Sequence, residues 1–290
     1  MARIILNSMK KTVLAFCLIG GFIFSEAQTN NKEVFSLTNV HHYVGPSVVE
    51  LADPYLSILN YTGYGMRLEY TDVRYFNPHN PVLSSYSRIA GLAALTVNPQ
   101  STASVTYIGG NVAWGMLYEY RDFSNFVLLA GANVDFDFAY KMNSRNVNNP
   151  FNMDLATDLN AMLGVRYIYP TRKRTLKFSA SIEFPLVGCM FVPYPGLSYY
   201  EMYSSKAYGE AIHFSSLHNK QGMKQQISID VPFKYSSWSF GARMHQLTYQ
   251  VGELPYSFNE FSLFVGITYD LIRFSGRKVA VPESFISPGY

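Results

Sequence analysis

Apolar and polar residues alternate with a period of two through most of the chain. Between 153 and 169 the odd positions are Met153, Leu155, Thr157, Leu159, Ala161, Leu163, Val165, Tyr167 and Tyr169, whereas the even positions include Asp154, Asp158, Asn160 and Arg166. Successive side chains of a strand point to opposite faces, so this spacing predicts a strand with one apolar and one polar or small face. The same reading places strands at 62–75, about 86–97, 104–121, 126–141, 175–184, 226–234, 237–246 and 261–271.

Several runs reach twelve to seventeen residues. Soluble sandwich strands average about five or six, whereas a tilted strand crosses a bilayer in about nine to eleven. Tyr and Trp gather near the ends of the apolar rows (Trp114, Tyr118, Tyr120, Tyr140, Tyr167, Tyr169, Trp238, Tyr269), where an aromatic girdle belongs. The predicted fold is all-β: an antiparallel transmembrane β-barrel, apolar outside, with a polar interior filled by side chains. A secreted β-sandwich is the alternative. Connections at 122–125, 170–174 and 235–237 are short, and those at 142–152, 191–224 and 252–260 are long, like periplasmic turns and extracellular loops. Nine strands are explicit, and single-chain bacterial barrels use an even number. A tenth is therefore expected within 41–60; eight is the alternative if 86–97 is irregular.

Composition agrees with this reading. Charged residues make up 15% of the 290 and aromatics 16%, with a mean hydropathy of +0.01; ordinary soluble chains carry roughly a quarter charged residues. No run after residue 27 supplies the roughly eighteen apolar residues that a spanning helix needs. Lys10 and Lys11, the apolar stretch Thr12–Phe24 and Ser25-Glu26-Ala27 predict a cleavable signal peptide over 1–27, with Met9 an alternative start. Its removal leaves twenty basic against nineteen acidic residues, a net +1, and no basic footprint for nucleic acid. Only Cys189 remains, so no internal disulfide is possible. The predicted organisation is a signal peptide (1–27), a periplasmic segment (28–40), the barrel (41–273) and a periplasmic tail (274–290), located in the cell outer membrane.

Four stretches carry a resemblance: Pro54-Tyr55-Leu56-Ser57-Ile58-Leu59-Asn60-Tyr61-Thr62-Gly63, Asn143-Ser144-Arg145-Asn146-Val147-Asn148-Asn149-Pro150, Leu197-Ser198-Tyr199-Tyr200-Glu201 and Ser215-Ser216-Leu217-His218-Asn219. In order and spacing across about 40–270 the chain resembles a family of Bacteroidetes outer-membrane proteins known as a domain of unknown function. The resemblance implies a barrel and an outer-membrane location, and it implies no reaction. Val147 stands where a small residue such as Gly is expected.

Candidate chemistry lies in two long loops. Arg145, Asn146, Asn148 and Asn149 form a polar plate in which Arg145 offers a planar fork to phosphate or carboxylate; Asn and Pro also build turns without any ligand. Tyr199, Tyr200, Glu201, His213, Ser215, Ser216, His218 and Asn219 combine hydroxyls, imidazoles and orienting groups, the parts of a nucleophilic site. No nucleophile-elbow motif accompanies them, and mutual hydrogen bonding is the simpler reading. Spacings for metal ligands are lacking at His41, His42, His79 and His245, and no cofactor is called for. The inward charges Asp135, Asp137, Asp154, Asp158, Glu183, Asp230, Lys177, Arg166 and Arg243 need partners, which predicts a salt-bridged plug. Carboxylates lead that set, so any leak would prefer cations.

Three functions follow from this. The first is a non-catalytic barrel whose loops bind a ligand, a glycan or another envelope protein, or an accessory subunit of an envelope assembly. The second is a lipid acyl hydrolase or acyltransferase, with His218 or His213 as base and Ser215 or Ser216 as nucleophile. The third is a small cation-preferring channel.

Overall fold

The computed structural model describes residues 34–76, 82–146, 150–172, 174–193, 198–233, 236–251 and 254–275. The segment 1–27, His79, Asn148, Asn149 and everything beyond Ser275 lie outside the described residues. The barrel is described over Phe35–Arg273.

The strands are β1 (Val34–Ala52), β2 (Asn60–Tyr75), β3 (Leu83–Val97), β4 (Ser104–Tyr120), β5 (Phe126–Asn143), β6 (Phe151–Pro170), β7 (Thr175–Phe191), β8 (Ile212–Ser216), β9 (Lys220–Pro232), β10 (Ser237–Val251) and β11 (Leu254–Ser275). Neighbours pair antiparallel, β11 lies beside β1, and β6 pairs with β7, so the sheet closes on itself. β8 and β9 are two parts of one wall strand, because both pair with β7: Phe191↔Ile212 to Val187↔Ser216, then Glu183↔Lys224 to Lys177↔Asp230. Counted this way, the molecule is a closed antiparallel barrel of ten strands. The irregular-looking stretch at 86–97 is strand β3, and the strand expected within 41–60 is β1, which begins at Val34.

Up-and-down topology sends the connections 53–59, 98–103, 144–150, 192–211 and 252–253 to one end, the loop end, and the remaining connections to the other, the turn end. The long loop expected at 252–260 does not form. β10 runs on to Val251 and β11 starts at Leu254, so Tyr249 opposes Tyr256 with their rings stacked at 4.4 Å. Residues 255–260 continue the alternation, with Tyr256 and Phe258 turned inward and buried.

The outward rows are apolar and exposed, as in Leu128, Val134, Phe136 and Phe138 of β5, Trp238 and Phe240 of β10, and Phe261, Leu263 and Ile267 of β11. In water so continuous an apolar surface is untenable. In a bilayer acyl chains cover it, and closure satisfies every backbone group of the ladder. On β10 the row changes to exposed Gln246, Thr248 and Gln250, so this wall rises beyond the apolar belt.

The lumen is crossed by ion pairs in layers. In the middle, Arg88 bridges to Glu183 (2.6 and 3.1 Å) and approaches Asp135 at 3.4 Å. Lys224 joins Asp135 to Asp137, and Arg67 links Glu69 to Glu260, each at 3.0 Å. Arg243 also pairs with Glu69, and Lys220 with Asp158. Towards the turn end Glu119 lies between Arg121 and Arg166. Each charge is therefore taken out of water beside an opposite one, the condition under which buried ions are tolerated. The loop-end part of the lumen departs from the polar interior expected. Val49, Leu51, Leu92, Val105, Tyr107 and Phe258 form an apolar cluster there, because the 53–59 connection tucks Tyr55 and Leu56 into the mouth.

Candidate functional site at the loop end

The Tyr199-Tyr200-Glu201 motif, read as loop, opens a short helix, α1 (Tyr199–Ser204). Ser198 caps it: Ser198 Oγ accepts from the Glu201 N–H at 3.2 Å, while Ser198 N–H and Oγ donate to Glu201 Oε2 at 2.7 and 2.9 Å. This reciprocal box satisfies two otherwise orphaned donors, and those donors hold the exposed Glu201 carboxyl below its ordinary pKa. One face of α1 is anchored. Met202 is fully buried, and the Tyr199 ring stacks on Phe151 at 4.9 Å and meets Tyr55 edge-on at 5.9 Å. The Tyr199 hydroxyl accepts from Met153 N–H at 2.9 Å and donates to Asn152 Oδ1 at 2.7 Å. Burial raises the pKa of Tyr199 and pushes that of Tyr55, on the 53–59 connection, up to about 12, so both hydroxyls stay neutral. Tyr200 and Tyr203 of the same helix are 77% and 69% exposed.

Beneath this roof Asn152 Nδ2 donates to Asp53 Oδ2 at 2.8 Å. The same Asp53 carboxylate binds Lys141 Nζ, which also reaches Asp154 at 2.7 Å and lies 4.4 Å from the centre of the Tyr256 ring. Tyr256 donates its hydroxyl to Asp154 at 2.9 Å. The Asn-rich plate grips the same connection: Asn143 and Asn146 both donate to the Leu56 carbonyl, at 3.3 and 3.0 Å. Arg145 is exposed, its backbone N–H bonded to Asn143 Oδ1 at 3.0 Å and its guanidinium without a hydrogen bond or ion pair among the described residues. Asn148 and Asn149 lie outside those residues. Two of the other motif stretches thus reach the 53–59 connection, through Asn143, Asn146 and Tyr199.

The fourth stretch divides. Ser215 points inward, 1% exposed, and donates to Asp158 at 3.2 Å. His213 pairs with Met190 and takes the inward row as well. Neither lies on the outward face of Ser216, whose hydroxyl meets His218. Ser216 Oγ and His218 Nδ1 are 2.5 Å apart. Asn219 clamps the excursion that carries them, accepting from Ser216 N–H at 2.9 Å and donating to the Phe214 carbonyl at 2.8 Å. The excursion exists because Leu217–Met223 separate Ser216 from Lys224 where Phe184–Leu186 alone separate their partners on β7. His218 lines an outer-wall groove of about 490 Å³ with Glu50, Asn60, Gln221, Thr248 and Ser257. Among the described residues no carboxylate bonds to His218, and no three His, Cys, Asp or Glu side chains converge as metal ligands.

Lys141, Arg88 and Asp53 were not candidates from the sequence. Lys141 and Arg88 occupy inward positions of alternating strands, a visible signal; Asp53 follows the end of β1, outside any periodic run.

Solved structures of similar shape include the outer membrane protease OmpT from Escherichia coli (6% identity, TM-score 0.41, 85% of this chain and 99% of that one). The translocator domain of the autotransporter NalP from Neisseria meningitidis is another (8%, 0.38, 89% and 97%). An outer membrane channel from Pseudomonas putida F1 is a third (11%, 0.31, 85% and 100%). No curated protein matches the chain. Residues 12–278 match the family described as "Protein of unknown function (DUF3316)", and the chain belongs to that family.

Proposed function

We propose that this outer-membrane barrel works through its loop-end surface, as a non-catalytic binding or accessory component of the cell envelope. One observation carries the reading: Tyr200 and Tyr203 are displayed in water from a helix anchored through Met202 and Tyr199. Rigid aromatic side chains give large contact area at small entropic cost, which suits a protein surface or a sugar chain. Exposed Arg145, on the neighbouring plate, supplies a fork for carboxylate or phosphate. The ion pairs that cross the lumen support the same reading, because they brace it from wall to wall. The test places a photoreactive side chain at 200 or 203 on intact cells, with position 169 at the turn end as control. A discrete adduct of protein or glycan at the loop-end positions alone is the expected result. A folded, surface-exposed barrel that yields no discrete adduct overturns the reading.

The 2.5 Å contact between Ser216 Oγ and His218 Nδ1 favours a second reading, a lipid acyl hydrolase. The pair faces outward beside exposed Phe214 and Leu217, where an acyl ester could reach it. Lipid mass spectrometry on folded protein incubated with phospholipid decides it. Deacylation by wild type, lost in both Ser216→Ala and His218→Ala, supports the hydrolase; no turnover removes it.

A further inference from the structure

Between the central brace and the turn-end layer the lumen holds a cavity of about 130 Å³. Its lining is mixed. Val73, Leu117, Leu129 and Met162 supply apolar surface. Ser179, Ser181, Ser228 and Arg166, with His41 and Thr71, supply polar groups. The acids that reach the cavity are already engaged: Glu69 with Arg67 and Arg243, Glu183 with Arg88, and Asp230 with the Ser239 hydroxyl at 2.6 Å. Arg166 is different. Its ion pair with Glu119 is long, 3.7 Å from NH1 to Oε2, and both that NH1 and Glu119 Oε1 lack a hydrogen-bond partner among the described residues. A buried guanidinium N–H without an acceptor is costly, and a charged acceptor relieves it best.

We infer that this cavity is a binding site for a small amphipathic monocarboxylate, its carboxylate on Arg166 and the cavity-side serines, its apolar body against Val73, Leu117, Leu129 and Met162. Size sets the class. An engineered apolar cavity of about 150 Å³ accepts benzene, so the body is one aromatic ring or a short aliphatic chain, and a long acyl chain is excluded. The inference is independent of the loop-end surface and of the Ser216–His218 pair.

Benzoate is the probe. It is titrated calorimetrically into the full barrel folded in maltoside micelles, alongside benzamide, which has the same body and no charge. Two variants are compared after heat-dependent gel mobility establishes that they fold: Arg166→Gln removes the charge, and Ser181→Leu fills the cavity. Saturable benzoate binding is expected in the wild type, weaker by about tenfold or more in each variant, because a charge-assisted hydrogen bond and the cavity itself are lost. Benzamide should bind about tenfold or more weakly than benzoate. The inference is overturned if the wild type does not bind benzoate, if both variants bind it as the wild type does, as partition into the micelle would give, or if benzamide binds equally well.

Discussion

Lys141 makes the clearest case at the scale of single residues. It is wholly buried and is held between Asp53 and Asp154. Removing a partner from a buried ion pair costs about 3–5 kcal/mol, because the remaining charge is stranded. Lys141→Met is therefore expected to destabilise the folded barrel by about that amount, read as a lower urea midpoint in micelles, and Asp53→Asn with it should recover part of the loss. Glu201 gives a prediction about pH. Its pKa is lowered by the Ser198 donors, so the stability it contributes is present above the ordinary glutamate range and is lost as pH falls through the lowered value. Amide exchange in α1 should quicken only on that acid side, and Glu201→Gln, which can still cap, should remove the dependence. Among the candidate residues, Asn146 and Tyr199 fasten the 53–59 connection across 90 and 144 positions, a role the local sequence does not contain.

At the scale of elements, period-two alternation located nearly every strand, because the lipid on one side and the lumen on the other impose opposite polarities on adjacent residues. It failed at 252–260. There the outward row is polar, since the β10–β11 hairpin stands beyond the belt, and polarity was read as loop. The depth of the belt is testable on that hairpin. Phe240→Arg, outward within the apolar row, should cost about 2–4 kcal/mol, whereas Thr248→Arg on the same face should cost about 0–1 kcal/mol. Equal costs in a lipid-vesicle folding titration would place the boundary elsewhere. The excursion at Leu217–Met223 was equally hidden, since it is visible only as a mismatch of pairing with β7.

At the scale of the whole molecule, the braced lumen predicts electrical silence. In planar bilayers the wild type should give no steady conductance, and Arg88→Ala combined with Glu183→Ala should introduce current steps, because that pair spans the middle of the lumen. A large anion-selective conductance in the wild type would contradict the brace. By itself the sequence determined the class, a strand-built transmembrane wall of about ten strands with charges facing inward, because alternation is a local property of neighbouring residues. Only the tertiary structure decided which charges meet. Arg88 finds Glu183 across 95 positions and Lys141 finds Asp53 across 88. Barrel closure and strand register set those encounters, and no local pattern records either.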